Sequence, residues 1–151
     1  MMHIVLVEPK IPQNTGTIAR LCAATNSQLT LVGPLGFSLE DKYLKRAGLD
    51  YWEHVSWTHV PNTKQFFETQ VNQILPPFLL SSKSKKRYTD VKFSQNQMLI
   101  FGSETEGLSE EIKSSYPSQC ITIPMMNPNI RSLNLANSVS IVLYEAIRQI
   151  D

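Results

Sequence analysis

Short aliphatic runs alternate with stretches of helical periodicity along this 151-residue chain, and that alternation restricts the fold more than any other feature. The runs His3–Val7, Leu29–Val32, Val55–Thr58, Phe78–Leu80, Met98–Phe101 and Cys120–Ile123 read as strands, several of them closed by proline, glycine or polar residues. Between them, Gln13–Asn26, Ser38–Ala47, Thr63–Ile74, Ser109–Tyr116 and Leu135–Ile150 read as helices. The last is the clearest, with Leu135, Val139, Val142, Leu143, Ala146, Ile147 and Ile150 at helical spacing. The strands are aliphatic on both faces, as a parallel sheet covered by helices requires. The sequence therefore predicts an open, mostly parallel α/β sheet in one domain, residues 1–151. Its ligand site is expected on loops leaving the carboxyl ends of strands.

Local chemistry sets the expected boundaries. Asn26 is a plausible stop for the first helix, and Ser38 an N-cap for the second, with Gly48 beyond its end. Pro76-Pro77 stops the third helix, and a capping box at Ser109 and Ile112 starts the fourth, helped by Glu110 and Glu111.

Composition excludes several classes. With 42% hydrophobic and 18% charged residues the chain has a globular, non-repetitive make-up. No apolar run approaches the roughly 20 residues that cross a bilayer, and the N-terminus lacks a basic leader, so a cytoplasmic protein is expected. Two cysteines, Cys22 and Cys120, cannot build a four-ligand zinc site; His3, His54 and His59 lack metal-ligand spacing, so no metal is expected. His3, inside a strand, reads as packing. The net charge of +1 is no nucleic-acid signature. Ser81–Lys92 is locally basic, however, with Lys83, Lys85, Lys86, Arg87 and Lys92 against Asp90. It is either a solvated loop or a place to hold phosphates.

The sequence contains no G-x-G-x-x-G after the first strand, no P-loop, no H-E-x-x-H and no G-x-S-x-G. Three other segments carry the polar chemistry. Pro12–Arg20 opens the first helix with amides and hydroxyls, and free N–H groups there suit a phosphate or carboxylate. Asn14 could be the N-cap, and Arg20 holds either a structural salt bridge or a phosphate. Leu99–Leu108 ends a strand in Gly102-Ser103-Glu104, with Gly107 five residues after the first glycine. Glu104 either favours a neutral or cationic ligand or caps the next helix. Ile123–Ser138 leads through a long polar loop into the last helix, where Asn134, Asn137 and Ser138 need partners in nearby loops.

Together these segments resemble the SPOUT superfamily of S-adenosylmethionine-dependent RNA methyltransferases. They are most similar to its small tRNA 2′-O-methyltransferases that modify the wobble nucleotide, position 34. The resemblance covers His3 to Gln149, with the three motifs in order. It implies a C-terminal deep trefoil knot, a homodimer, S-adenosyl-L-methionine as cofactor, and the tRNA anticodon stem-loop as partner. It implies cofactor contacts at Leu80, Gly102, Glu104, Gly107, Ile123, Met125, Ser132 and Leu133, with Glu104 near the positive sulfonium. It places Asn14 and Arg20 toward the RNA and gives Arg20 the catalytic role. A guanidinium is a poor base, its pKa lying above roughly 12. Arg20 is therefore expected to hold phosphate and stabilise developing alkoxide charge. Ser103 stands where the family usually has proline, Glu106 where arginine is common, and the loop from Ile123 to Ser132 is one residue longer. A 2′-O-methyltransferase of another RNA, a non-catalytic RNA-binding module and an enzyme using another nucleotide are the alternatives.

Overall fold

Aliphatic side chains pointing alternately to two faces bury a strand only if helices lie on both sides, and this chain does so. The computed structural model describes residues 1–48, 51–71 and 74–151. Its strands are β1 (His3–Val7), β2 (Gln28–Val32), β3 (Ser56–Val60), β4 (Phe78–Leu80), β5 (Met98–Phe101) and β6 (Cys120–Ile121). Its helices are α1 (Pro12–Ala24), α2 (Lys42–Gly48), α3 (Thr63–Thr69), α4 (Glu110–Ser114) and α5 (Leu135–Ile150). The six strands form one sheet in the order β3-β2-β1-β5-β4-β6, and every named pairing is parallel.

Along β1 the split between faces is residue by residue. Ile4 and Leu6 join α1 (Ile18, Ala19, Cys22) and α5 (Val139, Val142, Leu143) in one core. Val5 and Val7 join Val32, Ile100, Leu108 and Phe66 of α3 in the other. Each fully buried Val, Leu, Ile or Phe among them is worth about 1.5–3 kcal/mol of transfer free energy. The edge strand β3 departs from the expected pattern. Ser56, Trp57 and Thr58 are exposed in this edge strand, so its first three residues are not aliphatic on both faces. It also runs two residues further, pairing Val60 with Val32, while Val55 packs in the core before it.

Several boundaries move for local reasons. Helix α1 starts with Pro12 in its first turn and ends at Ala24, and Asn26 takes a positive φ of 51° just beyond it. Helix α2 begins later than expected because Asp41, not Ser38, is its cap: Asp41 Oδ1 accepts from Tyr43 N at 2.7 Å. The Ser38 hydroxyl instead accepts from Glu40 N in the preceding turn. Helix α3 ends at Thr69 instead of Ile74, leaving the helix in time to bury Val71; residues 72–73 of the expected span lie outside the described residues. At α4 only half of the expected box forms. The Ser109 hydroxyl accepts from Ile112 N, but Ile112 has no carboxylate to return the bond. Strand β6 stops at Ile121, and Thr122 instead bridges to Arg87.

Candidate functional site

The carboxyl ends of β4, β5 and β6 hand over to three loops, and with the segment before α5 these line a cavity of about 700 Å³. Leu80, Gly102, Glu104, Gly107, Ile123, Met125, Ser132 and Leu133 all line it. Eight residues expected at one site from three separate segments are thus brought together. Asn14 and Arg20 are not in its wall.

The middle loop is shaped by its glycines and by Ser103. After β5 the chain folds back so that Ser103 bridges Gly107, with Gly107 N donating to Ser103 O at 3.0 Å. A Cβ on Gly102 would run into the backbone of Gly107 and Leu108. Gly107 has open space but a φ of +65°, which side chains rarely adopt. The Ser103 hydroxyl accepts from Glu106 N at 3.1 Å and closes the turn.

Glu104 answers the question of what the start of α1 holds. Its Oε1 accepts from Lys10 N at 2.8 Å, and its Oε2 from Ile11 N at 2.7 Å and Asn14 Nδ2 at 3.3 Å. A carboxylate of the chain itself therefore sits just ahead of this helix start, tying the Lys10–Ile11 backbone and Asn14 to the loop after β5, while the next helix is capped by Ser109. All three donors are uncharged amides, so Glu104 keeps its negative charge in the cavity wall while it fixes the loop. Asn14, in turn, is not an N-cap. It is buried inside the first turn of α1, and its Oδ1 accepts from Asn134 Nδ2 at 3.0 Å. Asn134 is the N-cap of α5, its Oδ1 accepting from Asn137 N. Of the polar residues at the start of α5, Asn134 thus finds its distant partner on helix α1 and not in a loop, and Asn137 takes part in the local cap.

Arg20 is exposed on α1 and makes no ion pair among the described residues; its guanidinium lies 4.7 Å from the ring centre of Tyr51. Of the two readings of Arg20, the structural salt bridge is not formed among the described residues; the guanidinium rests on this cation–π contact, and its N–H donors are unclaimed by an acid there.

Charges at the cavity rim are largely matched. Glu106 pairs with Lys10 at 3.2 Å, and Glu110 with Lys113 at 2.9 Å and Lys83 at 3.8 Å. The hydrogen bond and charge of Lys113 hold the Glu110 carboxyl below its usual range. Arg131 also lines the cavity, with no acid partner among the described residues. Sequence reasoning did not single it out, although it immediately precedes Ser132. Burial pushes the Cys120 thiol up, against nucleophilic use. His3 Nε2 bonds Thr30 Oγ1 at 2.7 Å, and burial lowers its pKa, in keeping with a packing role. Among the described residues no group of three His, Cys, Asp or Glu is placed to hold a metal, and no helix is long and apolar enough to cross a membrane.

The profile of the SpoU rRNA Methylase family matches residues 1–144. The chain is 47% identical to a tRNA (cytidine(34)-2'-O)-methyltransferase of Methylovorus glucosotrophus, over all of this chain and 97% of that one. A solved structure described as giving insights into the 2-OH methylation of C/U34 on tRNA is 41% identical, with a TM-score of 0.92 over 99% of this chain and 95% of that one. The SpoU methyltransferase AviRb of Streptomyces viridochromogenes, solved in complex with the cofactor AdoMet, is 25% identical. Its TM-score is 0.80, over 97% of this chain and 57% of that one.

Proposed function

The chain belongs to the SpoU rRNA methylase family, and from that premise we propose that it is a tRNA 2′-O-methyltransferase. It transfers a methyl group from S-adenosyl-L-methionine to the ribose of the wobble nucleotide, position 34, a cytidine or modified uridine. The observation that carries this reading is the convergence of Leu80 and seven residues of two motifs on one cavity, joined to near-full-length similarity to enzymes named for that reaction.

The cavity fits such a cofactor in size and in lining. Its volume lies within the roughly 300–1,000 Å³ of ligand sites, and its wall mixes the apolar Leu80, Ile123, Met125 and Leu133 with polar loop backbone. S-adenosylmethionine, when bound, supplies an electrophilic methyl group. The chain's own part is to hold, exclude and orient. Leu80, Ile123 and Met125 would hold its adenosine part through backbone groups, Gly102 and Gly107 shape the loop beside it, and Ser132 and Leu133 would close the pocket. Glu104 and Asn14 fix the start of α1 to that loop. Arg20, exposed and free of an acid, takes an RNA phosphate and steadies alkoxide charge developing on the ribose oxygen.

The same reading makes residues 1–151 one domain, in a cytoplasmic protein that uses no metal. A trefoil knot is supported by the late insertion of β5 between β1 and β4 and by residues 122–134, which return from the β6 edge to bring α5 beside α1. A homodimer is supported by Met126, Ile130, Leu133 and Tyr144, apolar residues exposed along that return segment and α5.

The deciding experiment is transfer of labelled methyl to tRNA from cells lacking this protein, followed by nucleoside analysis. A 2′-O-methylated pyrimidine from the wobble position is the expected product. Cofactor binding without label in tRNA would move the target to another RNA, and failure of both would favour a non-catalytic module.

A further inference from the structure

The basic segment between β4 and β5 is not a loose, solvated loop. Residues 81–90 are sewn along β6 and its extension. Ser81 N donates to Ile121 O at 2.9 Å, Thr122 N to Lys86 O at 2.8 Å, and Tyr88 N to Thr122 O at 2.9 Å. The Ser84 hydroxyl adds a bond to Cys120 O at 2.7 Å. A flexible loop must be ordered when it binds, whereas this strap is ordered on folding.

Its cations are also left over after pairing. Asp90, the strap's one acid, is committed to Arg87 N at 2.9 Å. Lys86 Nζ is committed to Ser118 O at 2.9 Å. Lys85 and Arg87 are exposed and meet no acid among the described residues, and Lys83 has only the long, exposed contact with Glu110. Lys83 lines the cavity, as does Arg131, which meets no acid among the described residues. The cavity's own acids, Glu104, Glu106 and Glu110, are all engaged by donors of the chain. Cations fixed on an ordered strap beside the cavity, two of them meeting no acid among the described residues and one held only by a long surface contact, suit a polyanion whose target group enters the cavity. Binding it would release the counterions that these cations otherwise hold.

We infer that the strap, through Lys83, Lys85 and Arg87 together with Arg131, is the surface on which the RNA phosphates flanking the target ribose lie. This rests on the RNA-methyltransferase reading above, and deepens it by naming where the RNA backbone runs.

The test uses the full-length protein with Lys85→Gln and Arg87→Gln combined, two exposed side chains outside the cavity wall. Binding of unmodified tRNA is measured across a salt series, and S-adenosylmethionine binding by calorimetry. The double variant is expected to bind tRNA about tenfold or more weakly at low salt, with a log–log salt slope shallower by roughly 1.5–2. Its cofactor affinity should be that of the unaltered chain, which also shows that it is folded. Unchanged tRNA affinity and slope, with cofactor affinity intact, would overturn the inference. If the unaltered protein binds tRNA but leaves position 34 unmethylated, the functional reading fails while the strap is still judged by its own slope. If the unaltered protein binds no tRNA, both fall.

Discussion

The two halves of the sheet are built from the same parallel ladder yet end differently. Strands β1, β2 and β3 each run five residues, whereas β4, β5 and β6 run three, four and two. In the first half the ladder itself satisfies most backbone groups, and the strands pass into helices. In the second half the ladder stops early, and the loops take over its hydrogen bonding, as Thr122 does with the strap and Ser103 with Gly107. Early termination leaves room for a cavity, and loop-to-loop bonding keeps its wall fixed. The cavity therefore belongs to the half with the poorer sheet. Glu104 is the seam, reaching from the second half to the start of α1 in the first.

The sharpest test of that division separates chemistry from cofactor holding. Arg20→Ala, in the first half, should lower methyl transfer by about 10²–10³-fold, the usual loss for a removed charge-stabilising donor, and leave cofactor affinity intact. Near-normal turnover would remove the proposed role. Next in size, Gly102→Val forces a side chain into the backbone of Gly107 and Leu108. An overpacking cost of about 1–3 kcal/mol corresponds to roughly a 5- to 150-fold loss of cofactor affinity. Gly33→Ala, which strains a φ of +81° in the first half, should lower the melting temperature but leave that affinity unchanged. Equal loss of cofactor affinity in both glycine variants would erase the distinction between halves.

Glu104→Ala cuts the seam. It deprives two backbone amides and Asn14 of a charged acceptor, and should lower stability by about 2 kcal/mol in a denaturant titration. The smallest effect is in β1. Burial lowers the His3 pKa below its ordinary 6.5, so the unfolded chain binds the proton more readily than the folded one. The stability that neutral His3 allows is therefore present above about pH 6.5 and lost as pH falls toward the lowered folded value. A His3→Gln variant should lack this part of the acid destabilisation, read as melting temperature against pH.

Much of the fold is legible because it rests on local periodicity. The apolar spacing in Leu135–Ile150 gives α5 to the residue, and the aliphatic runs give all six strands. Boundaries slip where two residues compete for one task. Ser38 and Asp41 are both good caps, and nothing in the local sequence says that the carboxylate wins. The cavity residues come from the family resemblance; periodicity alone points only to the carboxyl ends of strands. The bonds of Glu104 and Asn14 were not readable at all. Each polar group had an acceptable local partner on paper, and its actual partner lies far along the chain. Arg20 is a related case, since an arginine without an acid leaves no pattern that foretells an aromatic ring as its rest.

That distance has a consequence for how the molecule is made. The amides of Lys10 and Ile11 wait for a carboxylate 94 and 93 residues further on, and Asn14 for an amide 120 residues further on. During synthesis the first helix leaves the ribosome long before either anchor exists, and water must serve those donors meanwhile. Contacts closed over such spans are slow to form. The setting of the amino-terminal helix is thus among the last events of assembly, and a nascent chain has no finished site until its final helix has emerged.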